Sequence, residues 1–226
     1  MKQVLTLASV AILASHIAFA EGQLNIYNWS DYIAEDTIAN FEEETGISVT
    51  YDVYDSNEVL EAKMMAGSSG YDLVVPTGDF LARGREAGVY ADIDMSRLSN
   101  LGNQDQQVQG LANDQMHDTK AGLVYMWGTT GIAYNEEMVK ERLGDAAPID
   151  SWSLILDPAN AAKLADCGIA ILDAPTDVLP NVIAYQGAAG DTTDAKLFES
   201  AGEVLNAVRP YLRYIHSSQS LNDIAN

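Results

Sequence analysis

The chain has 226 residues and a formal net charge of −21, with 33 acidic side chains against 12 Lys and Arg. This charge argues against nucleic acid and anionic membrane surfaces as partners, because both are themselves negatively charged. Cations are attracted instead, although salt screens the attraction beyond ~10 Å. An ordinary acidic protein, with no charge-selective function, is the alternative explanation of the charge.

The first twenty residues are predicted to be a secretory signal peptide. Lys2 supplies a positive start, residues 4–14 form an apolar run, and residues 18–20 place small side chains at the cleavage positions. The apolar run is shorter than the ~20 residues that a spanning helix needs. No Cys follows it, which argues against a lipid anchor. We predict a mature protein that starts near Glu21 and is soluble in a periplasm, without stable membrane insertion.

Strand and helix patterns alternate along the rest of the chain. The continuous apolar run at 73–75 is typical of a strand that is buried on both faces, and Gly46 is a typical helix stop. Repeated strand-then-helix units predict an α/β fold with open, mostly parallel sheets flanked by helices. Strands are predicted at 24–27, 47–53, 73–75, 89–93, 123–127, 132–134, 169–172 and 211–215, and helices at 38–45, 56–67, 136–143, after Asp150, and at 197–208.

Polar and aromatic residues follow several of the predicted strands. Ligands of open α/β sheets bind beyond the carboxyl ends of the strands, so these residues are candidates for a binding site. Hydroxyls, carboxylates and rings without Lys or Arg suit a ligand that is positively charged and partly apolar. The residues are Trp29, Ser30 and Asp31, then Thr77, Asp79 and Phe80, then Asp173 and Asp177, then His216, Ser217 and Ser218.

Each of these residues also has an ordinary structural explanation. Trp29 could pack under a loop as part of the core. Asp31, Asp79 and Asp177 could be helix N-caps, and the serines after His216 could cap the next helix. The coincidence of four such strand ends favours the binding interpretation.

The sequence gives little support to enzymatic chemistry or to a metal site. It has no G-x-S-x-G, no G-x-x-x-x-G-K-[ST] and no H-E-x-x-H motif. The spacing of its Cys and His residues matches no zinc site. One alternative is a secreted serine hydrolase that uses His216 with Ser217 or Ser218. We predict no enzyme, no cofactor and no metal.

Cys167 is the only cysteine. It is either a buried free thiol or one half of a disulfide whose other half lies outside this sequence. The last residues have the pattern of a helix start without a stop signal, which favours a truncated chain as the explanation.

Five stretches carry a family resemblance: YNWSDYI at 27–33, GYDLVVPT at 70–77, MWGTTGIAYN at 126–135, DSWS at 150–153 with DPAN at 157–160, and YIHSSQ at 214–219. In this order and spacing they resemble the periplasmic polyamine-binding proteins, the receptors of spermidine/putrescine ABC importers. The resemblance covers the whole predicted mature chain. It implies a monomeric receptor whose partners are a polyamine and the importer's membrane permease.

The resemblance also implies a bilobed type II periplasmic-binding fold that closes on its ligand. Residues 21–130 would form lobe one and residues 131–226 part of lobe two, with a first crossing at 127–134. Further strands of lobe two and the return to lobe one would then be missing from this sequence. In the family, the Cys that corresponds to Cys167 pairs with a Cys just past the end of this chain.

In lobe one the resemblance assigns residues as follows. Trp29 resembles an aromatic wall of the cleft, Ser30 and Asp31 resemble neighbouring polar contacts, and Tyr32 lies in the same motif. The corresponding position of Thr77 is usually a Ser that touches an amine.

Four further positions complete the implied site. Phe80 matches a wall position, and Asp79 departs from the pattern, where Ser or Tyr is expected. In lobe two, Asp177 stands where an acidic residue, commonly Glu, binds an ammonium, and Ser218 matches a polar contact. An added carboxylate at Asp79 would favour a longer or more highly charged ligand, unless it faces solvent.

A polyamine is a string of methylenes between ammonium groups, so it needs both apolar walls and anions. Burying an ammonium is costly unless it is paired and hydrogen-bonded, and each contact with a ring face stabilises it by ~0.5–2 kcal/mol.

Two alternatives to a polyamine receptor stay open. One is the same fold with another cation, an amino acid or a metal ion as its ligand, and the other is a sensor that relays ligand occupancy.

Overall fold

The computed structural model describes residues 22–117 and 120–224. The predicted signal peptide lies outside the described residues. The strands are Gln23–Trp29 (β1), Ser48–Tyr54 (β2), Leu73–Val74 (β3), Ile169–Ile171 (β4) and Leu212–Ile215 (β5). The α-helices are Thr37–Thr45 (α1), Asn57–Met65 (α2), Gly78–Glu86 (α3), Gln106–Gln115 (α4), Glu136–Leu143 (α5), Ser153–Leu156 (α6), Pro158–Leu164 (α7), Pro175–Tyr185 (α8), Ala195–Val208 (α9) and Ser220–Asp223 (α10).

The strands form two parallel sheets. In the first, β1 lies between β2 and β3, with a register that runs from Gln23 opposite Ser48 to Trp29 opposite Tyr54. In the second, β4 pairs with β5. The predicted α/β class with parallel sheets flanked by helices is confirmed. Because the strands of each sheet are parallel, their carboxyl ends share one edge, which gathers the residues that follow them.

Each sheet organises one region of the molecule. We call residues 22–130 lobe one and residues 131–224 lobe two, after the predicted boundary, which itself stays a prediction. Lobe one holds the first sheet with α1 to α4, and lobe two holds the second sheet with α5 to α10.

Local signals in the sequence explain several helix ends. Gly46 ends α1 with a φ of 69°, a left-handed conformation that glycine adopts without steric cost, and its N–H donates to Glu42 O. Ser56 caps α2 by accepting a hydrogen bond from the Val59 N–H. Asn135 caps α5 in the same way.

The two lobes have different cores. The buried cluster of lobe one is small and largely aromatic, with Tyr27, Tyr54 and Leu60 buried and Trp29 packed against them. Phe80, Leu81, Ala82 and Met116 are buried outside this cluster. The core of lobe two is larger and aliphatic. It consists of Val139, Leu154, Leu156, Ala161, Leu164, Ile169, Val182, Ile183, Ala201 and Val208.

Three predicted strands, at 89–93, 123–127 and 132–134, are wrong, because these residues form no ladder. The prediction that 73–75 is buried on both faces is also wrong, since Leu73 is 50% exposed. A parallel strand needs hydrogen-bonding neighbours, and β1 is the only neighbour of β3 among the described residues. None of the described helices is both long and apolar enough to span a bilayer.

Candidate functional site

A cleft with a volume of about 2470 Å³ is lined by residues of both lobes. Its volume exceeds the ~300–1,000 Å³ of a typical small-molecule pocket, so it is an open groove rather than a fitted cavity. The structure brings all of the predicted contact residues to this cleft, while their role in binding stays a prediction. They are Trp29, Ser30, Asp31, Tyr32, Thr77, Asp79, Phe80, Asp177 and Ser218.

Trp29 forms an aromatic wall at the carboxyl end of β1. Its indole Nε1 donates a hydrogen bond to Val75 O at 2.8 Å. Its ring centroid lies 4.8 Å from that of Tyr54 and 5.9 Å from that of Tyr32. Trp29 is half-buried, so it both packs against the core of lobe one and lines the cleft. The hydrogen bond and the two ring contacts fix the orientation of the indole.

The loop after Trp29 is held by main-chain contacts. The N–H of Ser30 donates to Tyr54 O at 3.0 Å, and its hydroxyl donates to the same oxygen at 3.4 Å. The Tyr125 hydroxyl donates to Tyr32 O. Asp31 is exposed and has a φ of 61°, a left-handed conformation that Asp tolerates better than most residues. It caps no helix, so that alternative is wrong for Asp31.

Thr77 and Asp79 meet at the start of α3. The Thr77 N–H donates to the buried Asn57 Oδ1 at 3.0 Å, and the Thr77 hydroxyl donates to Asp79 Oδ1 at 2.6 Å. Thr77 is the N-cap residue and Asp79 lies in the first turn, so Asp79 is not the N-cap. A carboxylate in the first turn is favoured by the positive end of the helix dipole.

Phe80 is anchored rather than freely presented. It is buried at 3% exposure, and the Arg83 guanidinium lies 4.0 Å from its ring centroid. The ring therefore forms part of the floor of the cleft, with one face already in contact with a cation.

Asp177 brings a carboxylate from lobe two. It lies in the first turn of α8, where Ala174 is the N-cap, so the alternative that Asp177 caps the helix is wrong. Burial raises the pKa of Asp177 above its ordinary value, and the carboxylates of Glu58 and Asp79 raise it further. The ionised form of Asp177 is thus disfavoured in this setting, and a cation in the cleft would stabilise it.

Two hydrogen bonds join the lobes beside the cleft. Thr176 Oγ1 donates to Glu58 Oε1 at 2.8 Å, and Ser218 Oγ donates to Asp55 Oδ2 at 3.1 Å. Sequence reasoning missed both acceptors. Asp55 comes directly after β2, so the strand-end rule could have found it, whereas nothing in the sequence marks Glu58.

His216 has a structural role in the turn before α10. Its Nδ1 accepts hydrogen bonds from the N–H groups of Ser218 and Gln219, at 3.0 and 3.2 Å. The alternative that Ser217 or Ser218 caps the next helix is not supported, because neither hydroxyl accepts a hydrogen bond from that helix among the described residues. The Ser218 hydroxyl is bonded to Asp55 instead of His216. Ser217 Oγ is buried and has no hydrogen-bond partner among the described residues. This is not the arrangement of an activated serine.

Several donor groups around the cleft are already bonded to protein acceptors. The hydroxyls of Ser30, Thr77, Ser218 and Thr176 each donate to a carboxylate or a carbonyl, and so do the indole of Trp29 and the phenols of Tyr54 and Tyr125. Each hydroxyl oxygen keeps lone pairs with which to accept. The hydroxyl and phenol oxygens among them can therefore act as acceptors toward a ligand.

The charges of the lining also favour a cationic ligand that donates hydrogen bonds. Of the described residues that line the cleft, seven are aspartates, none is a lysine and Arg213 is the one arginine. The aspartates are Asp31, Asp55, Asp79, Asp105, Asp177, Asp191 and Asp223.

Metal and thiol chemistry have little support. No group of three or more His, Cys, Asp or Glu among the described residues is arranged to hold a metal ion. Cys167 is a half-buried free thiol whose Sγ lies 3.8 Å from Asp166 Oδ1. Burial raises the pKa of this thiol, which lowers its reactivity. The disulfide implied by the resemblance stays a prediction.

Comparison with known proteins gives close relatives. The chain is 50% identical over 220 residues to the putrescine-binding periplasmic protein PotF of Escherichia coli K12, covering 97% of this chain and 60% of PotF. It is thus similar to that protein along almost its whole length, but it spans about three fifths of the relative.

Solved structures agree with the predicted periplasmic-binding-protein fold. The TpPotD lipoprotein of Treponema pallidum superposes with a TM-score of 0.72 at 27% identity, covering 90% of this chain and 60% of that one. The spermidine/putrescine ABC transporter substrate-binding protein PotD of Streptococcus pneumoniae gives 0.62 at 27% identity, covering 90% and 59%. The family model for bacterial extracellular solute-binding proteins matches residues 36–224. The chain therefore belongs to the family of bacterial extracellular solute-binding proteins.

Proposed function

We propose that this chain is the receptor of a polyamine importer. It binds putrescine or spermidine between its lobes in the periplasm and delivers the ligand to an ABC permease in the membrane. The observation that carries this proposal is the charge of the cleft lining. Its described residues include seven aspartates, no lysine and one arginine, and several of its hydroxyl, phenol and indole donors are bonded internally. An ammonium group is a pure donor, so it suits such a lining.

The apolar part of a polyamine is matched by the aromatic wall. Trp29 offers an indole of fixed orientation, beside the half-exposed ring of Tyr32. Methylenes pack on such rings, and a nearby ammonium gains ~0.5–2 kcal/mol from each ring face. Asp31 on one side and Asp177 on the other provide the counter-charges, which a buried ammonium requires.

The names of the relatives support the same ligand class. The Escherichia coli relative is a putrescine-binding periplasmic protein, and the Streptococcus pneumoniae structure is a spermidine/putrescine substrate-binding protein. Both are transport proteins rather than enzymes, which agrees with the structural role of His216.

An amino-acid ligand fits the cleft less well. Its carboxylate would need donors, and several of the cleft's donors are already bonded to protein acceptors. Arg213 alone among the arginines and lysines of the described lining could supply them.

A sensor that reports ligand occupancy would use the same lobes, so transport is tested separately, by polyamine uptake in membranes that contain the permease.

Calorimetric titration tests the ligand class. Purified protein, stripped of ligand by unfolding and refolding, is titrated with putrescine, spermidine, lysine and glutamate. We expect polyamines to bind and to raise the melting temperature by linkage, while glutamate does neither. Equal melting curves with and without millimolar polyamine would contradict the proposal, and saturable binding of lysine alone would assign the cleft to amino acids.

A further inference from the structure

Two carboxylates of lobe one accept hydrogen bonds from lobe two without belonging to the predicted ligand contacts. Glu58 accepts from Thr176, and Asp55 accepts from Ser218. The partners are 118 and 163 residues apart in sequence, so these are tertiary bonds between the lobes. We call these four residues the interlobe latch.

The latch lies where helix ends favour a carboxylate. Glu58 is in the first turn of α2, and its partner Thr176 is the second residue of α8. The positive ends of both helix dipoles therefore stabilise the Glu58 carboxylate. The bond from Thr176 is charge-assisted, which makes it stronger than a bond between two neutral groups.

One oxygen of Glu58 is left without a partner. Glu58 Oε2 is shielded from solvent and has no hydrogen-bond partner among the described residues. A shielded carboxylate oxygen without a donor is costly. This cost would be offset by the helix ends and by positive charge in the neighbouring cleft.

Thr176 and Glu58 lie next to residues of the predicted site, and Ser218 is itself a predicted contact. Thr176 precedes Asp177, and Glu58 follows Asn57, whose side chain holds the Thr77 N–H. The bond between Thr176 and Glu58 thus places Asp177 of lobe two opposite Thr77 and Asp79 of lobe one. The nearness of Glu58 and Asp79 raises the pKa of Asp177, as expected for like charges brought together.

We propose that Glu58 and Asp55 are positioning residues that hold the lobes at the separation at which Asp177 faces lobe one, and that they thereby set how long a ligand stays bound. The second half of this inference rests on the proposed function. The latch stabilises the approach of the lobes, while repulsion among Glu58, Asp79 and Asp177 opposes it. A cationic ligand removes the repulsion, so the ligand and the latch stabilise the same conformation.

A double variant removes one partner of each latch bond. Thr176→Val keeps the side-chain shape but loses the donor, and Asp55→Ala loses the acceptor. The matched control combines Thr37→Val with Asp114→Ala, two exposed lobe-one positions outside the cleft lining. Circular dichroism and melting curves establish that each protein is folded.

Two measurements report on the latch. Small-angle X-ray scattering of ligand-free protein measures lobe separation, and stopped-flow fluorescence measures dissociation of spermidine. We expect a larger radius of gyration for the double variant than for the control. We expect dissociation to accelerate about tenfold for each lost bond, the change typical of one hydrogen bond to a charged group, with association within about threefold of wild type.

The outcomes separate the latch from the proposed function. Unchanged scattering and unchanged dissociation in a folded double variant would overturn the latch. If wild type binds no polyamine, the proposed function is wrong, and scattering alone then decides on the latch. If the double variant does not fold, Thr176→Val against Thr37→Val gives the same test, since each replaces one hydroxyl by a methyl.

Discussion

The two lobes contribute to the cleft in different ways. Lobe one has a small aromatic core whose rings continue into the cleft wall, and directional hydrogen bonds such as that from Trp29 to Val75 fix those rings. Lobe two has a larger aliphatic core and presents its polar groups at the start of α8 and in the turn before α10. The difference is that lobe one contributes an aromatic wall to the cleft, whereas lobe two contributes aliphatic core residues such as Val139 and Leu154 beside its polar groups.

The largest expected effect tests the core of lobe two. Ile183 is fully buried there, so Ile183→Ala should lower the free energy of unfolding by about 2–5 kcal/mol through lost burial and a residual cavity. Urea denaturation measures this. Ile149→Ala, at an exposed position of the same lobe, should cost below ~1 kcal/mol. Equal losses at both positions would contradict the assigned core.

The second prediction tests the wall of lobe one. Trp29→Ala should weaken polyamine binding by about 2–4 kcal/mol, the usual range for a central aromatic contact. Trp29→Phe keeps a ring but loses the bond to Val75 O and should cost about 1 kcal/mol. Titration calorimetry measures both, with Tyr185→Ala, outside the cleft lining, as the control. Wild-type affinity in Trp29→Ala would mean that Trp29 is only a core residue.

The third prediction concerns pH and lobe two. Because the pKa of Asp177 is raised from 3.8 in the folded protein, its ionisation destabilises the ligand-free protein, and that loss accumulates as pH rises through the raised pKa. The affinity for a cation depends on pH in the opposite direction, because the cation is attracted by the ionised carboxylate of Asp177. Polyamine affinity should therefore fall as pH drops through the raised pKa, which lies above that of an ordinary Asp. Asp177→Asn should bind more weakly and show a flatter pH profile in the acid range. An unchanged profile would remove Asp177 from the site.

The smallest expected effect concerns ligand choice at Asp79. Asp79→Ser removes a charge but keeps a small polar side chain beside Thr77. We expect the affinity for spermidine to fall about threefold more than that for putrescine, because this exposed carboxylate is partly screened by solvent. Parallel titrations measure the ratio. Asp114→Ala, an exposed charge outside the cleft lining, should leave it unchanged.

The sequence predicted best where a local signal decides the structure. Ser56 and Gly46 mark helix ends that depend on their own backbone, and the helix at 136–143 formed with the predicted bounds. The strand prediction at 123–127 failed because a strand depends on a neighbour, which no local pattern encodes. The helix α8 was not predicted, since Pro180 lies inside it and proline usually ends a helix.

The candidate site was likewise predicted only in part. The strand-end rule, together with the family resemblance, gathered residues that the structure brings to one cleft, because parallel strands share an edge. It could not assign their hydrogen bonds, so the bond from the Thr77 hydroxyl to Asp79 was not predicted. Glu58 escaped notice because its importance comes from Thr176, a residue 118 positions away.

The commitment of hydroxyl protons to neighbouring oxygens has a consequence for redesign. A cleft in which several side-chain donors are already bonded, and whose charged lining residues are mostly aspartates, distinguishes solutes by the sign of their charge before it distinguishes them by shape. Converting the cleft into a biosensor for an anion would require several of these hydrogen bonds to be replaced together. Changing its preference among amines would need only single substitutions along the groove.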